Sequence, residues 1–232
     1  MVGTFINMGA IVAGAAVGTV AGSKLPEKMR QTVLYGIGLV LLVIGVQMSM
    51  KTQNTLIVLG AILIGGVIGE ALRLEDRVIR LGELLQQNLS RGPGNSIAEG
   101  FATASLVFCV GPMAILGPIA DGLSGDYKLL SIKAVMDAFI AIAFSASLGW
   151  SVSLAALSIF AYQGGITLFA GILSSALTEP MITEMTATGG LVIMGVGIKL
   201  LQMQDLRLAN FVPSIAVAPV IVGLIPRIGA WF

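Results

Sequence analysis

The sequence predicts an all-α fold, a polytopic transmembrane bundle of about eight spans filling the whole chain, 1–232, as one membrane domain. Two observations carry this. Charged residues make up 11% and hydrophobic ones 56%, with a mean hydropathy of +0.96, too few charges to cover a water-soluble surface of this size. The apolar residues also fall into runs near the roughly 20 residues that cross a bilayer as a helix.

The first run, Val2 to Gly22, carries no charge and ends at a polar turn, Lys24 to Arg30, around Pro26. It lacks a positive start and is followed by more spans, so it reads as a helix and not a leader. Gln31 to Met50 is the second run and Thr52 to Gly69 the third. Phe101 to Ala120 is the fourth, interrupted by Gly111-Pro112 and again by Gly117-Pro118. The fifth starts near Leu129 and holds Lys133 and Asp137. From Ala138 to Thr178 no charge occurs, which is too long for one span and fits a turn at Gly149-Trp150-Ser151. The sixth then runs Val152 to Leu173, the seventh Thr183 to Met203, and the eighth Leu208 to Pro226.

Residues 71–89 are the one sizeable polar segment. Ala71, Leu74, Val78, Leu81 and Leu85 recur at helical spacing, with Arg73, Asp76, Arg77, Arg80 and Glu83 mostly away from them. The segment reads either as a cytoplasmic helix lying in the interface or as a linker packed on the bundle.

Lys and Arg set the orientation. Loops after spans one, three, five and seven hold Lys24, Lys28, Arg30, Arg73, Arg77, Arg80, Arg91, Lys199 and Arg207; the other side holds Lys51, Lys128, Lys133 and Arg227. The excess places the first set in the cytoplasm and both termini outside.

An internal repeat is legible at an offset of 152. Ser23, Leu25, Glu27 and Met29 match Ser175, Leu177, Glu179 and Met181; Gly38-Leu39-Val40 matches Gly190-Leu191-Val192, and Gly45 matches Gly197. The units would be 1–70 and 152–226, with the helices of 97–149 between them. Their first helices cross in opposite senses, the inverted plan that recurs in secondary transporters.

Chemistry is confined to few residues. Asp137 lies well inside the fifth span, where a carboxylate is costly unless paired or hydrated. Lys133 is one turn earlier on the same face. The two read as a solute or ion site, or as a structural pair near the membrane edge. Gly111 and Gly117 mark breaks whose freed carbonyls could coordinate an ion, or simple packed kinks. Asp121, with Asp126 and Tyr127, reads as an exposed loop that gathers cations, or as a polar turn. Asn7 and Gln163 could line a pathway or bond between helices. Glu70, Glu99, Glu179 and Glu184 sit at span ends, where caps and interface exposure explain them. The chain has no histidine and one cysteine, Cys109, so His-based metal sites and an intrachain disulfide are excluded. No nucleotide, nucleophile or nucleic-acid-binding motif occurs, so no cofactor, no nucleic-acid partner and no enzyme activity is expected.

The sequence resembles the bacterial membrane family called domain of unknown function 554. The resemblance rests on Gly3-Thr4-Phe5-Ile6-Asn7, Leu25-Pro26-Glu27-Lys28, Phe108-Cys109-Val110-Gly111-Pro112-Met113-Ala114-Ile115-Leu116-Gly117-Pro118-Ile119-Ala120-Asp121-Gly122, Lys133-Ala134-Val135-Met136-Asp137, Tyr162-Gln163-Gly164 and Leu177-Thr178-Glu179. Family members often carry Ala or Ser where this chain has Pro112 and Pro118, so the breaks would be particular to this chain. The resemblance implies a bacterial inner-membrane location and no substrate. From the residues, the expected function is secondary transport of a small solute or ion, cation- or proton-coupled. The alternative is a non-transporting scaffold or sensor partner acting through 71–89. Membrane lipids are the expected surroundings. Glycine-rich faces make a homodimer an expectation too.

Overall fold

The computed structural model describes residues 1–80 and 97–229 and contains helices, with no strand among the described residues. In chain order these are α1 (Val2–Gly22), α2 (Glu27–Ser49), α3 (Thr55–Ala71), α4 (Leu74–Arg80), α5 (Ile97–Cys109), α6 (Met113–Ser124), α7 (Lys128–Leu148), α8 (Ala155–Leu168), α9 (Ala170–Ala176), α10 (Glu179–Leu200) and α11 (Val212–Gly229). Short 3-10 turns, Trp150–Leu154 and Leu208–Phe211, lead into α8 and α11.

Each expected span falls on a helix, but the count changes. Among the described residues, five helical segments are long and apolar enough to cross a bilayer: α1, α2, α7, α10, and α8 with its leading turn. The number rises to seven if two bent pairs each count as one span. These are α3 with α4, bent by 53°, and α5 with α6, bent by 65°. The eighth run, α11, is apolar but shorter. The sixth is divided at Phe169, and the turn expected at Gly149 is present, with φ +83° there.

The fourth span breaks once. Gly111 takes φ +125°, open to glycine and strained for other residues, and Pro112 caps α6. Gly117-Pro118 does not break it, because Pro118 lies inside α6. Its missing N–H would have reached Ala114, one residue into the helix, so a single internal bond is lost.

Packing joins elements distant in sequence. Gly14, Gly18 and Gly22 present one glycine stripe of α1 to the carbonyls of Ala138, Ile142 and Ala146 on α7; a methyl at any of them would collide. The two helices therefore run parallel at close backbone approach, the way small residues bring membrane helices together. α2 and α10 run antiparallel, with Gly38 against Gly197 and Gly45 against Gly190. α3 runs antiparallel to α11, with Gly65 against Ser214 and Gly69 against Asn210. A core of Ile11, Phe108, Phe144, Val152 and Ile159 fills the α1, α5, α7, α8 half.

Polar contacts collect at two ends. At one, Arg30 Nη2 donates to Ser147 O (2.6 Å), Tyr35 Oη to Gln202 Oε1 (3.2 Å), and Lys199 pairs with Asp205 (3.0 Å). α4 is tied down there: Glu75 Oε2 accepts from Ala209 N (2.8 Å), its own N–H donates to Asn210 Oδ1 (2.9 Å), and Asp76 pairs with Arg207 (3.1 Å). Of the polar segment 71–89, then, the part through Arg80 is tied to the bundle at Glu75 and Asp76, with Arg73, Arg77 and Arg80 exposed; residues 81–89 lie outside the described residues. At the other end, Glu184 accepts from Thr52 Oγ1 (2.6 Å) and Gln53 N (2.8 Å). Glu184 is buried, not exposed at a helix end as its position in the sequence indicated, because the α2–α3 turn closes over it.

Candidate functional site

Four polar side chains meet inside the α1, α7, α8 half. Asp137 and Lys133, one turn apart on α7, form an ion pair at Asp137 Oδ2. The same oxygen accepts from Asn7 Nδ2 of α1 at 3.0 Å, and Asn7 Nδ2 also lies 3.4 Å from Gln163 Oε1 of α8. Asn7 and Gln163 are fully buried, and Asp137 and Lys133 are 4% and 6% exposed. The helical spacing of Lys133 and Asp137 made their pairing legible; the fold adds the two amides, from helices more than a hundred residues apart in sequence.

The cluster is not saturated. Asn7 Oδ1 and Gln163 Nε2 have no partner, nor have the hydroxyls of Thr4 and Thr167 on the same two helices. Buried polar atoms in native proteins are nearly always hydrogen-bonded to protein or ordered water, and four of the unpartnered buried atoms among the described residues lie on these two helices. Thr4 and Thr167 escaped sequence reasoning because a threonine in an apolar helix commonly bonds its own backbone. Thr19, which donates to Ala15 O, does so.

The helix break is a neighbour of this cluster. Cys109, the last residue of α5, and Tyr162, next to Gln163 in sequence, line one apolar cleft at the break. Clefts approach the break from both ends of the bundle. A polar cleft of about 500 Å³ between α4, α5 and the α10–α11 connection is lined by Glu75, Glu99, Lys199 and Asp205. It shares Val78, Ala102, Leu106 and Ala209 with an apolar cleft of about 620 Å³ that reaches Cys109, Val110 and Tyr162. On the other side of the break, Pro112 and Leu116 line a cleft of about 450 Å³ with Lys51, Glu179 and Thr183. α10 carries Glu179 at one cleft and Lys199 at the other, about 30 Å apart along its axis.

Two expected site residues are placed differently. Asp121 is not in an exposed loop: it is a buried residue of α6, and its Oδ2 accepts from Gly3 N of α1 (3.1 Å) and pairs with the amino terminus (3.0 Å). The first turn of α1, with its unpaired N–H groups, draws the carboxylate in. Gly117 packs against Leu130 of α7 inside an unbroken stretch of α6, whereas Gly111 has open space around it at the break.

A helical membrane bundle with an ion pair and two amides sealed at a broken helix defines the class of this protein: a polytopic membrane protein with a polar interior. The chain belongs to the family described as Protein of unknown function (DUF554), whose model matches residues 2–223. It is 29% identical over 236 residues, covering all of both chains, to the uncharacterized membrane protein YdfK of Bacillus subtilis (strain 168). It is 26% identical over 235 residues to the uncharacterized protein YqgA of Escherichia coli (strain K12), covering 100% of this chain and 97% of that one. No solved structure matches.

Proposed function

We propose that the chain is a secondary transporter of a small solute or ion in the bacterial inner membrane, cation- or proton-coupled and without catalytic activity of its own. The observation that carries this is the buried Asp137–Lys133 pair, held with Asn7 and Gln163 beside the α5–α6 break. Ionisable groups inside a membrane protein mark solute and ion pathways, and broken helices are tolerated where they line cavities. Clefts that approach the break from both ends support alternating exposure of this site. Asp137 binds the cation or proton, Lys133 balances its charge, and Gly111 supplies the pivot of the break.

The reading includes an inverted repeat of three helices. The antiparallel contacts Gly38–Gly197 and Gly45–Gly190 support it, because a shift of 152 positions carries Gly38 onto Gly190 and Gly45 onto Gly197 and so exchanges the two contacts. It also places both termini outside, by the Lys and Arg distribution. The bonds of Arg30 to Ser147 and of Tyr35 to Gln202 support a shared side for the loops concerned.

The test is uptake of a panel of labelled solutes and ions into proteoliposomes holding the purified full chain, under imposed pH and sodium gradients. The reading expects gradient-driven uptake of at least one class, abolished by Asp137→Asn in protein that still folds. Uptake by that variant equal to the unaltered chain's overturns it.

A further inference from the structure

Thr4 Oγ1, Asn7 Oδ1, Gln163 Nε2 and Thr167 Oγ1 are buried without partners, and all four residues are at least nine-tenths buried. Their placement is ordered. On α1, Thr4 stands between Gly3, whose N–H donates to Asp121, and Asn7, whose amide donates to Asp137. The two carboxylates are thus anchored about 6 Å apart along the axis of α1. On α8, Thr167 is one turn beyond Gln163, and its carbonyl lies against Gly122, the neighbour of Asp121. The unpartnered atoms therefore line the seam from one buried carboxylate to the other.

The donor set says what fills the seam. Three of the atoms can accept a hydrogen bond, while Gln163 Nε2 can only donate. Water satisfies both kinds at once. A metal cation would face the Nε2 protons, and the Lys133 ammonium already balances Asp137.

We propose that this seam holds bound water and is a proton path from Asp121 to Asp137, which makes the coupling ion a proton entering from the end of the bundle that holds Asp121. The assignment of a coupling role rests on the transport reading; the path itself does not. A hydronium gives its proton to the Asp121 carboxylate and leaves as water. The proton then passes along waters held by the Thr4 and Thr167 hydroxyls and the two amides. Each O–H bond forms as the preceding one breaks, Asp121 ends ionised, and Asp137 ends protonated. The site gains one positive charge, because Lys133 loses its anionic partner, and an unbalanced buried charge shifts the balance between conformations. The charged groups against the path are Lys133 on α7, paired with Asp137, and the α1 amino terminus at Asp121; Cys109 on α5 and Tyr162 on α8 are titratable groups that line the neighbouring apolar cleft.

The test is time-resolved infrared detection of carboxyl protonation in the full chain in lipid nanodiscs after a light-triggered proton release, with the Asp137 band assigned by its loss in Asp137→Asn. Thr4→Val with Thr167→Val should slow the appearance of that band by about tenfold or more, the factor that corresponds to ~1.4 kcal/mol on a barrier, while leaving its final amplitude at each pH unchanged. Thr4→Ser with Thr167→Ser, which keeps the hydroxyls, should restore the rate, and Asp121→Asn should slow it. Where the valine pair does not fold, Thr167→Val alone carries the same expectation. Unchanged rates in the valine and Asp121→Asn variants overturn the path. So does an Asp137 signal that follows sodium or potassium and ignores pH. Because the readout is protonation and not flux, a fast Asp137 signal in a protein that moves no solute overturns the transport reading and leaves the path standing.

Discussion

Asp137 and Lys133 were visible in the sequence as the only charges deep inside an otherwise apolar stretch, and their four-residue spacing placed them on one helix face. Asn7 and Gln163 were visible as isolated polar residues, but nothing local joins them; the contact arises because α1 and α8 cross at that depth. Asp121 was misread for a physical reason. Its neighbours Gly122, Gly125 and Asp126 have the composition of a turn, while its burial comes from the first turn of α1, more than a hundred residues away. Replacing Asp121 with Ala removes the acceptor of Gly3 N and should lower the thermal midpoint in detergent, by an effect on the order of 1–2 kcal/mol for a lost helix cap. A midpoint equal to that of the unaltered chain would show that the contact contributes nothing to stability. Asp126, exposed and bonded within its own turn, is the control position.

Glycine decides the packing of the elements. The Gly14, Gly18, Gly22 stripe was present in the sequence, but glycine is so frequent in this chain that the stripe could not be separated from composition until α7 was laid against it. Gly18→Ala forces a methyl into the Ile142 carbonyl and should destabilise the fold by ~1–3 kcal/mol, as overpacking of a close contact does. Gly9→Ala, on the same helix with open space around it, should leave stability unchanged or raise it slightly through helix propensity. A thermal scan of the two variants side by side checks the pair, and equal midpoints would contradict the packing. At the break, Gly111→Ala places a side chain at φ +125° and should cost ~1–3 kcal/mol in strain. The other expected break does not occur: α6 continues through Pro118, which forfeits one internal hydrogen bond.

Sidedness governs the whole molecule. Cysteines introduced at Lys28 and Lys51, in a chain with Cys109 replaced, should react with a membrane-impermeant thiol reagent from opposite faces, Lys28 from the cytoplasm. Labelling of both from one face would dismantle the arrangement. The helical class was legible, because it follows from composition and run length alone; the count of eight spans was not, because two runs bend sharply and α11 is short. The pairing of α2 with α10 and of α3 with α11 became plain only in three dimensions, since such contacts depend on which glycine faces match. One measurement bears most directly on the central claim: gradient-driven flux in proteoliposomes for Asp137→Asn, Lys133→Met and the double variant, each with its melting curve. If Asp137 carries the coupled ion, Asp137→Asn and the double variant lose flux while remaining folded, and Lys133→Met impairs flux less. If the pair is only structural, each single change strands a buried partner and lowers stability. The double variant then recovers both stability and flux, and that result would contradict the account.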